Sequence, residues 1–486
     1  PFFSPDGASI GFVADDQLKR VSVEGGPAVV LADSRGGFHG ASWGGDGTII
    51  YSPGYTSGLW RVSADGGDAA ELTTPDVVAG ELGHWWPQIL PGDQAVQYTA
   101  YTTSVATSRI VVRSLRGDDQ RTLVEGGMFG RYLFSGHLLY AQGEVLFAAR
   151  FDPEQLRLTS PATPVLEDVA LAPGNALSRF AVSENGSLAY FPASTVSPDS
   201  MLAWIDRGGA VEFLSDRVGR YTVDSLSPDG TRATVTIRDP DRDVWVFDVD
   251  RGTMRPLTVG DGDDFNGRWT PDGEQMIYAS EQRVYQLFRI GADGNGEPER
   301  LFTSERDNTP TSVAPDGSVV AFNDSSSETG QDIWTLPLDG EPSPEPFLAT
   351  QFDESTARFS PDGKWVVYIS NQSGRNEVYV RAYREGATSV QVSTDGGGNP
   401  QWAPSGRELF YRREDSLLAV AFDPATRMTV SDPAVLWENE RWGGSYGVSP
   451  DGERFLVTLT VGPPKPVEPI IIQNWFEELK RLVPTN

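Results

Sequence analysis

The chain has 486 residues, 38% hydrophobic and 10% aromatic, enough to build more than one packed core and too many for wholesale disorder. A formal net charge of −29 speaks against a nucleic-acid backbone or an anionic membrane as partner, and no Lys/Arg run offers a local exception. With no cysteine, disulfides, thiolate metal sites and Cys nucleophiles are excluded.

No run reaches the ~18 apolar residues of a membrane span, so no membrane insertion by this chain is expected. The 52 glycines and 35 prolines are spread at intervals, which marks many turns, and long amphipathic patterns are nearly absent. The expected class is all-β. The first residues, Pro1 to Gly7, begin inside a turn motif without Met, so an upstream piece is expected.

That motif, Phe3-Ser4-Pro5-Asp6-Gly7, returns along the whole chain. Its glycines are Gly7, Gly47, Gly92, Gly136, Gly186, Gly230, Gly273, Gly317, Gly363, Gly406 and Gly452, spaced 40 to 50 residues apart. Ser, Pro, Asp and Gly stand in the order a type I turn favours. One strand enters the turn, as in Asn266 to Thr270, and a second leaves it, as in Gln275 to Ala279. A third follows, as in Val244 to Asp248 or Ile333 to Leu336. An Asp-Gly hairpin then leads to a short fourth strand that often ends in Leu-Thr, as at Leu72-Thr73 and Leu257-Thr258. Four antiparallel strands at this period are one propeller blade. The strand after Gly363 alternates Trp365, Val367 and Ile369 with Val366 and Tyr368, so both of its faces should be covered.

A longer echo divides the chain. Leu139 to Asp152 resembles Phe410 to Asp423, and both continue into Pro-Ala and Val-Leu pairs at an offset of about six periods. Two tandem six-bladed β-propellers of four-stranded antiparallel blades are expected. The first would cover residues 1–215 with five of its six blades, and the second residues 216–486 with all six. At the end, Pro469 to Gln473 reads as a strand. Trp475, Phe476, Leu479 and Leu482 then mark one face of a short helix, with Asn474 as its N-cap and the final blade as its support.

Catalytic patterns fail on context. Gly443-Gly444-Ser445-Tyr446-Gly447 matches G-x-S-x-G and resembles the nucleophile elbow of prolyl-oligopeptidase-type hydrolases. That elbow needs a following helix and a downstream His, whereas Ser445 runs into a blade turn and His39, His84 and His137 all lie upstream. No His pair has zinc spacing. The acidic groups Asp239, Asp241, Asp243 and Asp261, Asp263, Asp264 invite comparison with calcium loops. Phe265 and Asp272 break the EF-hand spacing, and the groups read as solvated turns. Trp60, Trp245 and Trp334 recur at one place in the blade and read as blade-to-blade packing. His84-Trp85-Trp86 reads as core, with a surface pocket as the other option. No phosphate-binding loop occurs, and Asp264-Phe265 is followed by Asn266 rather than Gly. No catalytic, cofactor-binding or metal-ligating residue is therefore expected.

The repeats resemble TolB-like, WD-type propeller repeats. The whole chain further resembles the C-terminal region of bacterial receptor-like serine/threonine protein kinases. The residues behind this are Phe3 to Gly7 with Leu18 to Gly26, then Leu59 to Gly67, Trp204 to Gly208, Gln391 to Gly397 and Asn474 to Lys480. The resemblance implies an extracytoplasmic sensor or scaffold, preceded by a kinase domain and a membrane span, and it implies no ligand residues. The expected function is non-catalytic binding of a peptide, protein or glycan. A free TolB-like periplasmic protein and the propeller half of a hydrolase are the alternatives.

Overall fold

The computed structural model describes the chain except residues 15, 35–37, 103–106, 118, 173–176, 197, 239–240, 261, 283, 327–329, 385–387, 424–428, 463–466 and 485–486. The described residues are all-β, in antiparallel sheets mostly of four strands.

Two side-chain devices explain the repeated sequence signs. At the turn, the Ser360 hydroxyl donates to Asp362 Oδ1 at 2.6 Å and accepts from the Trp365 N–H at 3.0 Å. The Lys364 N–H donates to the same carboxylate oxygen at 3.1 Å, and Gly363 takes φ 68°. The same bracket joins Ser4 to Asp6, Ser227 to Asp229, Thr270 to Asp272 and Ser449 to Asp451. At the end of the fourth strand, a hydroxyl accepts the first free N–H of the third. Thr73 takes the Leu59 N–H at 2.8 Å, Thr258 that of Val244 at 3.0 Å and Ser393 that of Val378 at 2.8 Å. This is why the blades end in Leu-Thr or an equivalent.

The chain forms two compact units, Pro1–Ser197 with Pro466–Asn486, and Pro198–Lys465. Among the described residues the first unit contains a sheet at each of its five turns, besides a two-stranded ribbon of Leu171–Ala172 with Leu177–Ser178. The first strands of its opening four sheets, Phe2–Phe3, Ala41–Trp43, Gly83–Ile89 and Met128–Leu133, touch in that order. The fifth sheet, Phe180–Val182 with Leu188–Tyr190, takes its third strand from Ile470–Ile472.

In the second unit the first strand of each sheet lies innermost. We label these β1 (Tyr221–Leu226), β2 (Asp264–Trp269), β3 (Asn308–Val313), β4 (Glu354–Phe359), β5 (Gly398–Trp402) and β6 (Trp442–Val448). Each touches the next and β6 touches β1, so the six sheets close a circle, as propeller blades do. The sixth sheet is completed from the other end of the unit. Ser200–Asp206 pairs with Arg454–Thr460 along its whole length, and Val211–Phe213 forms the outer edge.

These pairings place residues 198–215 in the second unit and the C-terminal segment in the first, unlike the division expected at 215. Backbone pairing across a long loop decides this, and it leaves no mark on local composition. The helix Trp475–Leu482 packs accordingly in the first unit, not on the final blade of the second. Trp475, Leu479 and Val483 lie in one cluster with Met128, Phe129, Leu139, Phe180 and Leu188. Trp475 N–H donates to Gly186 O at 2.7 Å, and a Cβ on Gly186 would meet the Phe476 ring at 2.8 Å. Asn474 does not cap the helix. It stands at φ 57°, whereas a capping side chain needs an extended backbone to reach the second or third N–H.

The sequence echo also has a structural meaning. Val145–Asp152 pairs with both Arg157–Leu158 and Thr163–Leu166, and Ser416–Asp423 pairs with both Thr429–Val430 and Ala434–Glu438. Each is a long third strand with a split partner. The strand Trp365–Ser370 is covered as expected: Val366 and Tyr368 pack in one inter-sheet cluster, Val367 and Trp365 in the next. Trp60 and Trp334 pack against neighbouring sheets, while Trp245 lies under the Arg217 guanidinium at 5.7 Å.

Candidate binding site at the inner strands

Every inner strand of the second unit carries a register shift where it meets the second strand of its sheet. Two inner strands of the first unit do the same, at Trp86 and Phe129. A bulge bends a strand and re-aims the side chain at that point, and bulges gather beside functional sites. Here the backbone at the bulge is left-handed in residues other than glycine: Trp86 (φ 56°), Phe129 (φ 51°), Asn266 (φ 59°), Thr356 (φ 59°) and Asn399 (φ 51°). Asn tolerates this conformation, but Thr and large aromatics pay on the order of 1–2 kcal/mol for it. The bulge residues of the first unit are aromatic. Those of the second unit are short and polar, and half-buried.

Behind the second unit's bulges lies a buried charged group. Arg268 of β2 and Arg358 of β4 are 7% and 9% exposed, and Asp224 of β1 is 3% exposed. The Asp224 carboxylate accepts from the Thr236 hydroxyl at 2.6 Å and from the Gly267 N–H at 3.3 Å. Arg268 donates to the main-chain oxygens of Asp224 and Pro310. Arg358 donates to Thr311 O at 2.6 Å. Burial pushes Asp224 up to about 6, against the pull of Arg268 and Thr236. Burial also draws Arg268 down to about 10 and Arg358 well below the usual guanidinium range. Tyr446 of β6, fully buried beside them, is pushed well up by the same cause and keeps its proton.

The residues singled out in the sequence are scattered. Ser445 lies within β6, which leads into a turn and another strand, and its hydroxyl accepts the Val223 N–H at 3.1 Å. All three histidines lie in the first unit. His84 Nδ1 meets the Thr73 hydroxyl at 2.7 Å, and its Nε2 meets Glu81 at 3.0 Å. His39 stacks on Trp85 at 4.2 Å, and Trp85 stacks on Tyr101 at 3.8 Å, so Trp85 is core while Trp86 stands at the bulge. His137 Nε2 donates to Val483 O at 2.7 Å.

Of the acidic groups, Asp243, Asp263 and Asp264 are not solvated turns. Asp263 is buried and accepts from the Arg242 N–H at 2.7 Å and Nε at 2.9 Å, while Asp243 accepts from Thr258 at 3.2 Å. Asp264 is pushed up to about 6 by burial. The Asp263–Arg242 pair ties adjacent blades together, a role set by tertiary neighbours. Asp239 and Asp261 lie outside the described residues. Among the described residues, no three His, Asp or Glu side chains converge as a metal site.

The inner-strand group escaped the sequence reading. One sign was available. Arg268 and Arg358 hold the same place, two residues before the Thr or Ser that opens the turn, where the other repeats of this unit carry Ser225, Ser312, Gln401 and Gly447.

The fold of the second unit is that of a β-propeller, with six antiparallel sheets closed in a circle around their inner strands. No family model matches it. Over 132 residues it is 24% identical to the Tol-Pal system protein TolB of Wolinella succinogenes, covering 27% of this chain and 31% of that protein. Over 118 residues it is 30% identical to the uncharacterized protein Atu1656 of Agrobacterium fabrum, covering 24% and 39%. The chain thus spans about a third of the length of these curated relatives. Among solved structures it is similar to a putative TolB from Agrobacterium tumefaciens (TM-score 0.46, 14% identity, 55% of this chain and 99% of that one). It is also similar to TolB from Acinetobacter baumannii (TM-score 0.36, 14% identity, 80% and 82%).

Proposed function

We propose that the chain is a non-catalytic binding module that recognises a peptide, protein or glycan at the inner ends of its blades. The observation that carries this reading is the set of left-handed, non-glycine bulge residues, Trp86 and Phe129 in the first unit and Asn266, Thr356 and Asn399 on β2, β4 and β5 of the second. Strain of this kind is kept where the surrounding fold holds a side chain for a purpose. We further read the chain as two tandem propellers, the first lacking one blade, in the extracytoplasmic sensor region of a bacterial receptor-like serine/threonine kinase. The repeat resemblance supports that context. The partial similarity to TolB supports a second reading, a free periplasmic interaction protein.

The test uses glycine, which suits a left-handed backbone and so removes the side chain while keeping the fold. Peptides selected by phage display against the chain would be measured against it and against an N266G/T356G/N399G variant. We expect binding to fall at least tenfold in a variant that melts no lower than the parent. Equal affinity for both would refute the reading, as would hydrolysis or phosphoryl transfer by the chain alone. Sequencing upstream of Pro1 separates the two contexts: a kinase core with a membrane span supports the first, a signal peptide alone the second.

A further inference from the structure

The charges behind the second unit's bulges do not balance. Two arginines face one carboxylate, and that carboxylate already accepts from a hydroxyl and a backbone N–H. Arg268 has Asp224 as its ionic neighbour. Arg358 has a weaker claim. Among the described residues it donates one hydrogen bond, to Thr311 O, and its buried Nε has no partner. The buried hydroxyl of Tyr446 is also without a partner. A guanidinium stays charged at neutral pH, and a buried charge with one neutral acceptor is costly unless a counter-charge reaches it. Arg268 and Arg358 keep 7% and 9% of their surface exposed.

We propose that Arg358 and Arg268, with the Tyr446 hydroxyl, form a socket for a small oxyanion, either a carboxylate or a phosphate group. The planar fork of a guanidinium matches two oxygens of such a group and discriminates against a spherical halide. Tyr446, protonated at all ordinary pH, supplies a neutral donor on a third strand. The socket does not depend on the peptide-recognition reading, because a free anion and the acidic side chain of a bound partner present the same oxyanion to it.

The test is thermal. The full chain is titrated with sodium phosphate, sodium acetate and an end-blocked Gly-Glu-Gly peptide, each against sodium chloride at equal ionic strength. We expect a saturable rise of about 5 °C in the transition of the second unit once the fitting anion stands 100-fold above its dissociation constant. Response to the blocked peptide names an acidic side chain as the source. Response to phosphate or acetate alone names a free anion. R358M should abolish the response and R358K weaken it about tenfold, while R384M, on an exposed arginine, should leave it intact. If R358M does not fold, R358K against the parent decides. No anion response in the parent, a linear one shared with chloride, or an undiminished response in R358K would overturn the socket.

Discussion

Replacing Leu479 with Ala should loosen the first unit and leave the second untouched. Leu479 is fully buried, in a cluster whose other members come from residues 85 to 190 and from the C-terminal segment itself. A buried Leu→Ala change costs about 2–5 kcal/mol in transfer and cavity terms. The total stability of a domain is about 5–15 kcal/mol, so this is a large share of it. For a unit of roughly 200 residues each kcal/mol moves the melting temperature by about 2–4 °C, so the first transition should fall by about 4–20 °C. Calorimetry would resolve two transitions, and hydrogen exchange would assign them. Peptides covering Leu188–Tyr190, which pair with the C-terminal strand, should lose protection, while those covering Arg454–Thr460 should keep it. The opposite pattern, or an unmoved first transition, would show that the C-terminal segment does not close the first unit.

Acidification from pH 7 to 5 should act oppositely on the two units. Burial raises Asp224 from an unfolded value of 3.8 to about 6, so the folded state binds the proton more tightly. Through Asp224 the second unit therefore gains stability as pH falls through 6, by at most about 3 kcal/mol from this group over its whole shift. His137 is depressed, first by burial, so its unfolded form takes the proton first, and the first unit loses stability as pH falls below 6.5. Urea titrations at pH 7 and 5 with unit-specific hydrogen exchange would check both signs; D224N should lessen the second unit's slope, with Asp264, raised to about 6 as well, supplying the remainder, and H137N should lessen the opposite slope of the first. At the blade ends, Thr258→Ala should cost about 1–2 kcal/mol because the buried Val244 N–H is left unpaired, while Thr258→Ser should cost much less; chemical denaturation of the two variants measures this.

Periodicity at two scales was enough to read the blades from residues alone. The Ser-Pro-Asp-Gly bracket and the Leu-Thr ending are local devices whose partners lie within one repeat, so their chemistry is written in the string. The coverage of both faces of Trp365–Ser370 followed from alternation in the same way. Asp263 reads as solvated in the sequence because its partner, Arg242, belongs to the preceding blade, and no spacing rule announces that neighbour.

Composition, turn chemistry and repeat length alone determined an all-β chain of four-stranded blades, because those properties act over a few residues to a few dozen. Only the tertiary structure decided which segment completes which sheet, and that Ile470–Ile472 returns to Leu188–Tyr190 across 280 residues. It alone gathered Asp224, Arg268, Arg358 and Tyr446, each from a different strand. Strand exchange and buried charge pairing depend on backbone edges and desolvation, which exist only once the chain has closed on itself.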